Sequence, residues 1–548
     1  MDQSGGQPRR AAAGGGRGLR GWFPGKAERG DVPPGQPRGG WGPRGWFPGK
    51  AERGAAPPGQ HSGGRVLIAS NRGPVSFAVS DDGSLVARRG GGGLVSGLSS
   101  VKDQADVLWV CAALSDADRT AARSSPDGRI DADLTPGKSA VRMLDIPVAT
   151  FQRAYNAVAN STLWFVHHML FDTPNEPAFG LAFRREWESF RAYNAAFADA
   201  LAEGAGPGAP GGPGGAGQVR AMVQDYHLPL VPRMLAERRP DVKIAHFSHT
   251  PWAPPDYYRL LPDEVGREVL DGMLGADHAG FLCQRWADAF LDCCAEFLDA
   301  SVDHVAGTVR YQGKLTSVAV HPLGVAAEEL QQRAAAPDVQ AQVATLTAIT
   351  AGQRLIVRVD RTELSKNIVR GLAAYRELLI THPEWRGQVT HLAFAYPSRH
   401  DLPEYREYTA RVQRMAGEIE DEFGTDAWNP LILQVNDDYP RSLAAYCLAD
   451  VLLVNPIRDG MNLVAKEGPI LSERACALVL STEAGAAAEL GGDALLVNPF
   501  DVTQTAEALH RALTMPPAER AQRAAGLASA GAAFPPSAWF QAQLDALG

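Results

Sequence analysis

The chain has 548 residues, enough for two or more domains, each with its own core. Its formal charge is −9, and residues 1–63 carry +6 of their own, so the remainder stands at −15. An acidic body argues against a nucleic-acid groove and leaves any phosphate binding to local Arg and Lys. No apolar run reaches the ~18–20 residues that cross a bilayer, and no apolar signal-peptide stretch opens the sequence.

Residues 1–63 are rich in Gly, Pro and Arg, and the segment 20–30 recurs as 44–54. Two short copies are too few for a repeat fold. Such a composition buries too little surface to offset ordering entropy, so a disordered tail is expected. The six cysteines, Cys111, Cys283, Cys293, Cys294, Cys447 and Cys476, have no CxxC spacing and lie mostly in apolar contexts. Buried free thiols in a cytoplasmic protein are therefore expected.

From residue 65 onward, short β-branched runs alternate with helical spacing. Strands are expected at 65–70, 107–111, 219–223, 244–248 and 277–282, then at 354–359, 390–395, 431–434, 451–455 and 477–480. This alternation predicts an α/β protein made of βαβ units with helix-covered parallel sheets. The Gly/Pro/Ala stretch 203–218 reads as a flexible surface loop. The segment 321–325 reads as a hinge. The expected organisation is a first doubly wound domain over 64–325, a second over 326–515, and a helical segment 516–548 packing back on the first. Two such halves imply a crevice at the carboxyl ends of their strands.

The loops after those strands carry the informative residues. Arg72 follows the first strand, and a glycine run ending at Gly93 would let a backbone approach a phosphate or sugar, although a plain hairpin fits it equally. Tyr155 and Trp164 flank a helical stretch holding Asn156 and Asn160; taken alone, such aromatics belong to a core. Asp225 and His249 end neighbouring strands and can reach one sugar. Arg361 and Lys366 bracket a strand-to-helix turn suited to clamping a pyrophosphate, and Arg399 ends the next strand. The most informative stretch is Arg458-Asp459-Gly460-Met461-Asn462-Leu463-Val464-Ala465-Lys466-Glu467. A strand, a short glycine-containing loop and a helix start direct free N–H groups and the helix dipole at a phosphate. Asp459 in the loop and Glu467, placed about two turns into the helix, bracket one ligand, which suits a nucleotide-sugar. A loop with ordinary surface charges shares the local pattern.

Together these motifs resemble the trehalose-6-phosphate synthases, retaining glycosyltransferases that move glucose from a nucleoside diphosphate to glucose 6-phosphate. The resemblance covers about residues 65–515 and rests on 458–467, 481–490, 497–501, Asp225-Tyr226-His227, His249-Thr250-Pro251-Trp252, and Arg361 with Lys366. It implies the GT-B fold, two Rossmann-like domains facing across a crevice. It also implies that Arg72, Tyr155 and Arg399 hold the acceptor phosphate, Trp164 lines the acceptor sugar, and Gly93 lies against the donor phosphate. Asp225 and His249 would contact the sugars at the reacting centre. Arg361 and Lys366 would take the diphosphate with the amides of the 461–463 loop (Met461, Asn462, Leu463), Asp459 would orient the transferred glucose, and Glu467 would hold the ribose.

The implied reaction keeps the anomeric configuration, with the departing phosphate as base, and needs neither cofactor nor metal beyond the nucleoside-diphosphate glucose co-substrate. The cationic groups would supply the positive potential instead, and no obvious covalent nucleophile stands out. Two departures bear on this. Ala112 stands where the family usually has an aromatic near the acceptor, and Asn367 where a Gly commonly follows the Lys. The opening Asn71-Arg72-Gly73-Pro74 is like actinomycete members, and the donor base (UDP, ADP or GDP) stays open, as does a homo-oligomer. Rival readings are a synthase with another phosphorylated acceptor, such as glycerol 3-phosphate or an aminocyclitol phosphate, and a catalytically silent sugar-phosphate sensor. A dinucleotide-dependent dehydrogenase is disfavoured by the missing GxGxxG.

Overall fold

The computed structural model describes residues 64–80, 82–89, 106–130, 140–207, 218–350, 352–399 and 402–548. The repeat-bearing tail, the glycine run with Gly93, and most of the 203–218 stretch lie outside these residues.

Two sheets organise the chain. The first draws on β1 (Arg65–Ala69), β4 (Asp106–Ala112), β5 (Arg129–Ile130), β6 (Ala140–Leu144), β7 (Arg220–Gln224), β8 (Lys243–Ser248), β9 (His278–Phe281), β10 (Ser301–Asp303), β11 (Thr308–Tyr311) and β12 (Lys314–Val320). Between β1 and β4, β2 (Val75–Val79) and β3 (Leu85–Arg89) form a separate hairpin. The spatial order is β10-β11-β12-β9-β8-β7-β1-β4-β6-β5. The central strands from β12 to β6 are parallel, and antiparallel pairs close both edges.

The second sheet is wholly parallel: β13 (Arg354–Arg361), β14 (Val389–Tyr396), β15 (Leu431–Gln434), β16 (Val451–Val454), β17 (Ala477–Ser481) and β18 (Leu495–Val497), in the order β15-β14-β13-β16-β17-β18. Both sheets share the doubly wound order, in which the chain leaves a central strand to one side and returns on the other. The reversal falls between β1 and β7 in the first sheet and between β13 and β16 in the second. At such switch points the strand-end loops diverge and open a crevice. The central strands are unbroken apolar runs because helices cover both faces: Leu67, Ile68, Val110, Met222, Val223, Ile356, Val357, Leu452 and Leu453 are all fully buried.

Every strand expected from the sequence forms, within one or two residues at each end. The strands not expected are β2, β3, β5, β6, β10 to β12 and β18, which are short or alternate polar with apolar residues. The helical stretch between Tyr155 and Trp164 winds as a π-helix over Arg153–Leu163. The segment after 515 divides. Helix Pro517–Ala532 packs on helix Val464–Leu471 beside the second sheet. Helix Pro536–Asp545 sets the Trp539 ring 4.9 Å from that of Phe247 at the end of β8. All six cysteines are buried and unpaired.

Candidate active site

At the second switch point, β13 ends on Arg361 and passes through a 3-10 turn, Leu364–Lys366, into helix Ile368–Thr381. Asn367 takes a left-handed conformation at φ 59°, and its amide donates to the carbonyls of Asn455 and Pro499, tying the turn to the loop after β16. That loop presents Asp459. The Lys366 ammonium lies 2.5 Å from Asp459 Oδ2, which also accepts from the Asn462 amide at 3.1 Å. Burial opposes both charges, but each outweighs it for the other: Lys366 is held above its ordinary pKa and Asp459 below.

Glu363 has a fully buried side chain, with Oε1 3.0 Å from Arg361 and 3.6 Å from Arg399 and a hydrogen bond from Ser398. Burial works against its charge, yet Arg361, Arg399 and Lys366 bring it down to about 2. The carboxylate is thus the common counter-ion of three cations. Sequence reasoning assigned it no role; its only signal was its place between Arg361 and Lys366.

The Asp459–Leu463 loop is gripped from both sides. A Cβ on Gly460 would lie 2.0 Å from the His249 carbonyl oxygen, and one on Gly485 would lie 1.9 Å from that of Gly460. The Trp286 indole donates to the Gly460 carbonyl at 2.9 Å, and Arg458 stacks over the same indole, 4.8 Å from a ring centroid. Met461 is buried and its carbonyl accepts from Ala486, while Asn462 is left-handed at φ 79°. Among the described residues, nothing occupies the amide N–H groups of Met461, Asn462 and Leu463. Helix Val464–Leu471 begins there, which places Glu467 in its first turn, nearer the loop than the expected two turns. Burial pushes the Glu467 carboxyl up to about 7, against a hydrogen bond with Tyr446.

On the first sheet, Asp225 follows β7 at φ 74°. Its N–H donates to the Phe247 carbonyl, and its carboxylate accepts the His249 N–H at 3.2 Å. A non-glycine residue held there implies strain that the surrounding hydrogen bonds overcome. Burial raises Asp225 to about 6 and lowers His249 to about 4, so at neutral pH the carboxylate is charged and the imidazole is not. The His249 ring pairs with Gln224 at 3.0 Å.

Arg399, from the end of β14, reaches the first sheet's side. Its guanidinium carbon lies 4.1 Å from the Trp164 ring centroid, and its Nη2 donates to the Tyr226 hydroxyl at 3.2 Å. Tyr226 in turn donates to Asn160 at 2.8 Å. Tyr155 stacks between His227 and Phe151, at 5.6 and 5.2 Å. With exposed Arg72 it lines a cavity of about 380 Å³. The predicted residues therefore gather on the crevice ends of β1, β7, β8, β13, β14 and β16, with the helix at 148–168; Gly93 lies outside the described residues.

Comparison with known proteins gives this arrangement a context. The model of glycosyltransferase family 20 matches residues 64–547. A Schizosaccharomyces pombe protein named alpha,alpha-trehalose-phosphate synthase [UDP-forming] is 33% identical over 83% of this chain and 85% of its own length. A validamine 7-phosphate valienyltransferase of Streptomyces hygroscopicus is 32% identical over 88% of this chain and 94% of its own. The chain spans 54% of a longer Arabidopsis thaliana relative, a probable trehalose-phosphate synthase, at 33% identity over 84% of this chain. A solved E. coli structure described as trehalose-6-phosphate bound with UDP-2-fluoro glucose superposes with a TM-score of 0.75 at 28% identity, covering 88% of this chain and 98% of that one. The fold is GT-B.

Proposed function

The chain belongs to glycosyltransferase family 20, and from that premise we propose that it transfers glucose, with retention, from a nucleoside-diphosphate glucose to glucose 6-phosphate, forming α,α-trehalose 6-phosphate without a metal. The observation that carries this reading is the Lys366–Asp459 pair beside Arg361 at the switch point of the second sheet.

The donor diphosphate lies against Arg361, Lys366 and the unoccupied amides at 461–463. These groups are fixed before the substrate arrives, so the charge that develops on the leaving phosphate meets preorganised positive potential. Lys366 exchanges part of its contact with Asp459 for the diphosphate, which frees Asp459 to orient the glucose hydroxyls. Across the crevice, ionised Asp225 accepts hydrogen bonds from a sugar, and neutral His249 either donates or accepts. Arg72, Tyr155 and Arg399 receive the acceptor phosphate, and the Trp164 face lines its ring. The departing phosphate takes the acceptor proton. The six buried thiols favour a reducing, cytoplasmic setting.

A second reading is favoured by one feature. Ala112 ends β4 as a buried methyl group with its N–H on the Asn71 carbonyl, so the aromatics beside Arg72 are Phe151 and Tyr155 and none comes from position 112. The changed position leaves room for an aminocyclitol phosphate as acceptor, and the validamine 7-phosphate relative is nearly as similar as the synthases.

The test is to incubate purified protein with glucose 6-phosphate or, separately, an aminocyclitol phosphate and, in turn, UDP-, ADP- and GDP-glucose, with and without a chelator, following nucleotide release and the glycosylated product. Turnover with one donor in chelator is expected. Release that requires an aminocyclitol phosphate would select the second reading, and a dependence on added divalent ion would remove the metal-free step.

A further inference from the structure

We propose that Arg119 is a specificity-determining residue of the acceptor pocket, holding the phosphate monoester together with Arg72, which lines the same cavity; this rests on the acceptor reading above. The cavity of about 380 Å³ that contains Arg72 and Tyr155 is closed at one end by helix Asp116–Ser124, from which Ser115, Asp116 and Arg119 face it. Arg119 is 94% buried by its 6% exposure, yet it is poorly satisfied. Nη1 donates to the Ile146 carbonyl at 3.0 Å, while among the described residues neither the enclosed Nε nor Nη2 has a hydrogen-bond partner. Two carboxylates compensate its charge from beyond hydrogen-bond range, Asp116 at 3.8 Å and Asp145 at 3.8 Å. Nε is enclosed behind Asp116, so a ligand in the cavity would meet the guanidinium through Nη2, which is left with an unmade N–H.

Three further features suit a dianion. The nine-residue helix turns its amino end to the cavity, and its capping box leaves the Asp116 and Ala117 N–H groups without partners among the described residues. Arg72 supplies a second, exposed guanidinium. The Arg119 guanidinium lies over Phe151, 5.3 Å from its centroid, and Phe151 stacks on Tyr155 and that ring on His227, so the cation is held in register with the loop that carries Asp225. The ligand class is a phosphate monoester on a small polyol; inorganic phosphate shares the chemistry and serves as a competing probe.

Steady-state kinetics on the full chain test this, with the donor that supports wild-type turnover. Arg119→Met is expected to raise the KM for glucose 6-phosphate about tenfold, to weaken inhibition by inorganic phosphate in parallel, and to leave the donor KM within about twofold, with the loss falling on KM rather than kcat. Arg119→Lys is expected to fall between. Asp116 is fully exposed, so Asp116→Asn leaves the core alone, and removing that counter-charge is expected to lower the acceptor KM two- to threefold. An unchanged acceptor KM in Arg119→Met overturns the proposal, as does a loss shared equally by donor and acceptor. Should Arg119→Met fail to fold, an acceptor KM in Asp116→Asn that is unchanged or higher overturns it. If the wild type turns over no phosphorylated polyol, the functional reading falls. In that case a phosphate-induced thermal shift in wild type, absent in Arg119→Met, still upholds the site, and equal shifts sink it.

Discussion

Glu363 and Arg361 sit 3.0 Å apart and have opposite burdens. The carboxylate is fully buried and organises its neighbours, whereas 55% of the Arg361 side chain is exposed. Removing the guanidinium therefore opens no cavity. Arg361→Ala is expected to lower kcat by two or more orders of magnitude, because a charge acting on the leaving group is worth several kcal/mol once the bound donor covers it. The urea midpoint is expected to fall as well, since buried Glu363 loses its nearest cation, so kcat is read where the variant is folded. A near-normal rate in a folded variant would strip Arg361 of that role. The sequence made Arg361 and Lys366 visible because two cations across a strand-to-helix turn are unusual. It hid Glu363, whose burial depends on Arg399 and Ser398 arriving from a different strand. Glu467 permits a test by pH. Its carboxyl ionises near pH 7 in the free protein, raised from 4.5 by burial. The folded state thus favours the protonated form, and this group's contribution to stability is lost as pH rises through that window. A ribose diol prefers the charged acceptor, so donor-nucleotide affinity should climb between pH 6 and 8 and then level. Calorimetry on wild type and Glu467→Gln isolates that component, and curves of identical shape would show that Glu467 does not touch the ligand.

The donor loop is shaped less by its own sequence than by what presses on it. Asp459 to Leu463 read locally as a helix start, which they are, but the grip of His249, Gly485 and Trp286 comes from elements far away in the chain. Trp286→Phe keeps an aromatic face beneath Arg458 and deletes one N–H, leaving the Gly460 carbonyl unpaired. That costs about 1–3 kcal/mol of loop stability. The expected outcome is a donor KM raised severalfold with the acceptor KM unchanged; equal changes in both would mean that the indole serves only the core. The same division governs what was legible in the elements. Central parallel strands stand out because both faces are buried, so their runs are unbroken. β10 to β12 carry Asp303, Arg310 and Lys314 on half-exposed edges, and β6 interrupts its run with Arg142. The π-helix has no local signature, since its wider turn depends on what packs around it rather than on apolar spacing.

For the molecule as a whole, the two switch points were implied once the strands were known, since a doubly wound sheet puts its ligand loops at the reversal. The segment 516–548 was expected to pack back on the first domain, but no local signal marked the docking point of the short helix Pro536–Asp545. Just before it, the Phe534 carbonyl accepts from Gly324, and the Gly531 carbonyl accepts from Val325, so the chain's end pins the 321–325 connection. Trp539, 1% exposed, then lies 5.4 Å from the His249 ring and edge-on to Phe247. The ring that steadies His249 is therefore supplied by the last helix, some 290 residues along the chain. Trp539→Ala should cost about 3–5 kcal/mol and, at temperatures where the variant remains folded, should still lower kcat, because the imidazole loses the surface that fixes its plane. Deletion of residues 1–62 is the matched control: every residue placed around the site is numbered 72 or higher, so turnover should not change. Urea unfolding and kcat measured on both variants separate the effects. A Trp539→Ala protein that unfolds early but turns over normally when folded would show that the last helix serves stability alone and that His249 is held by Gln224 without it.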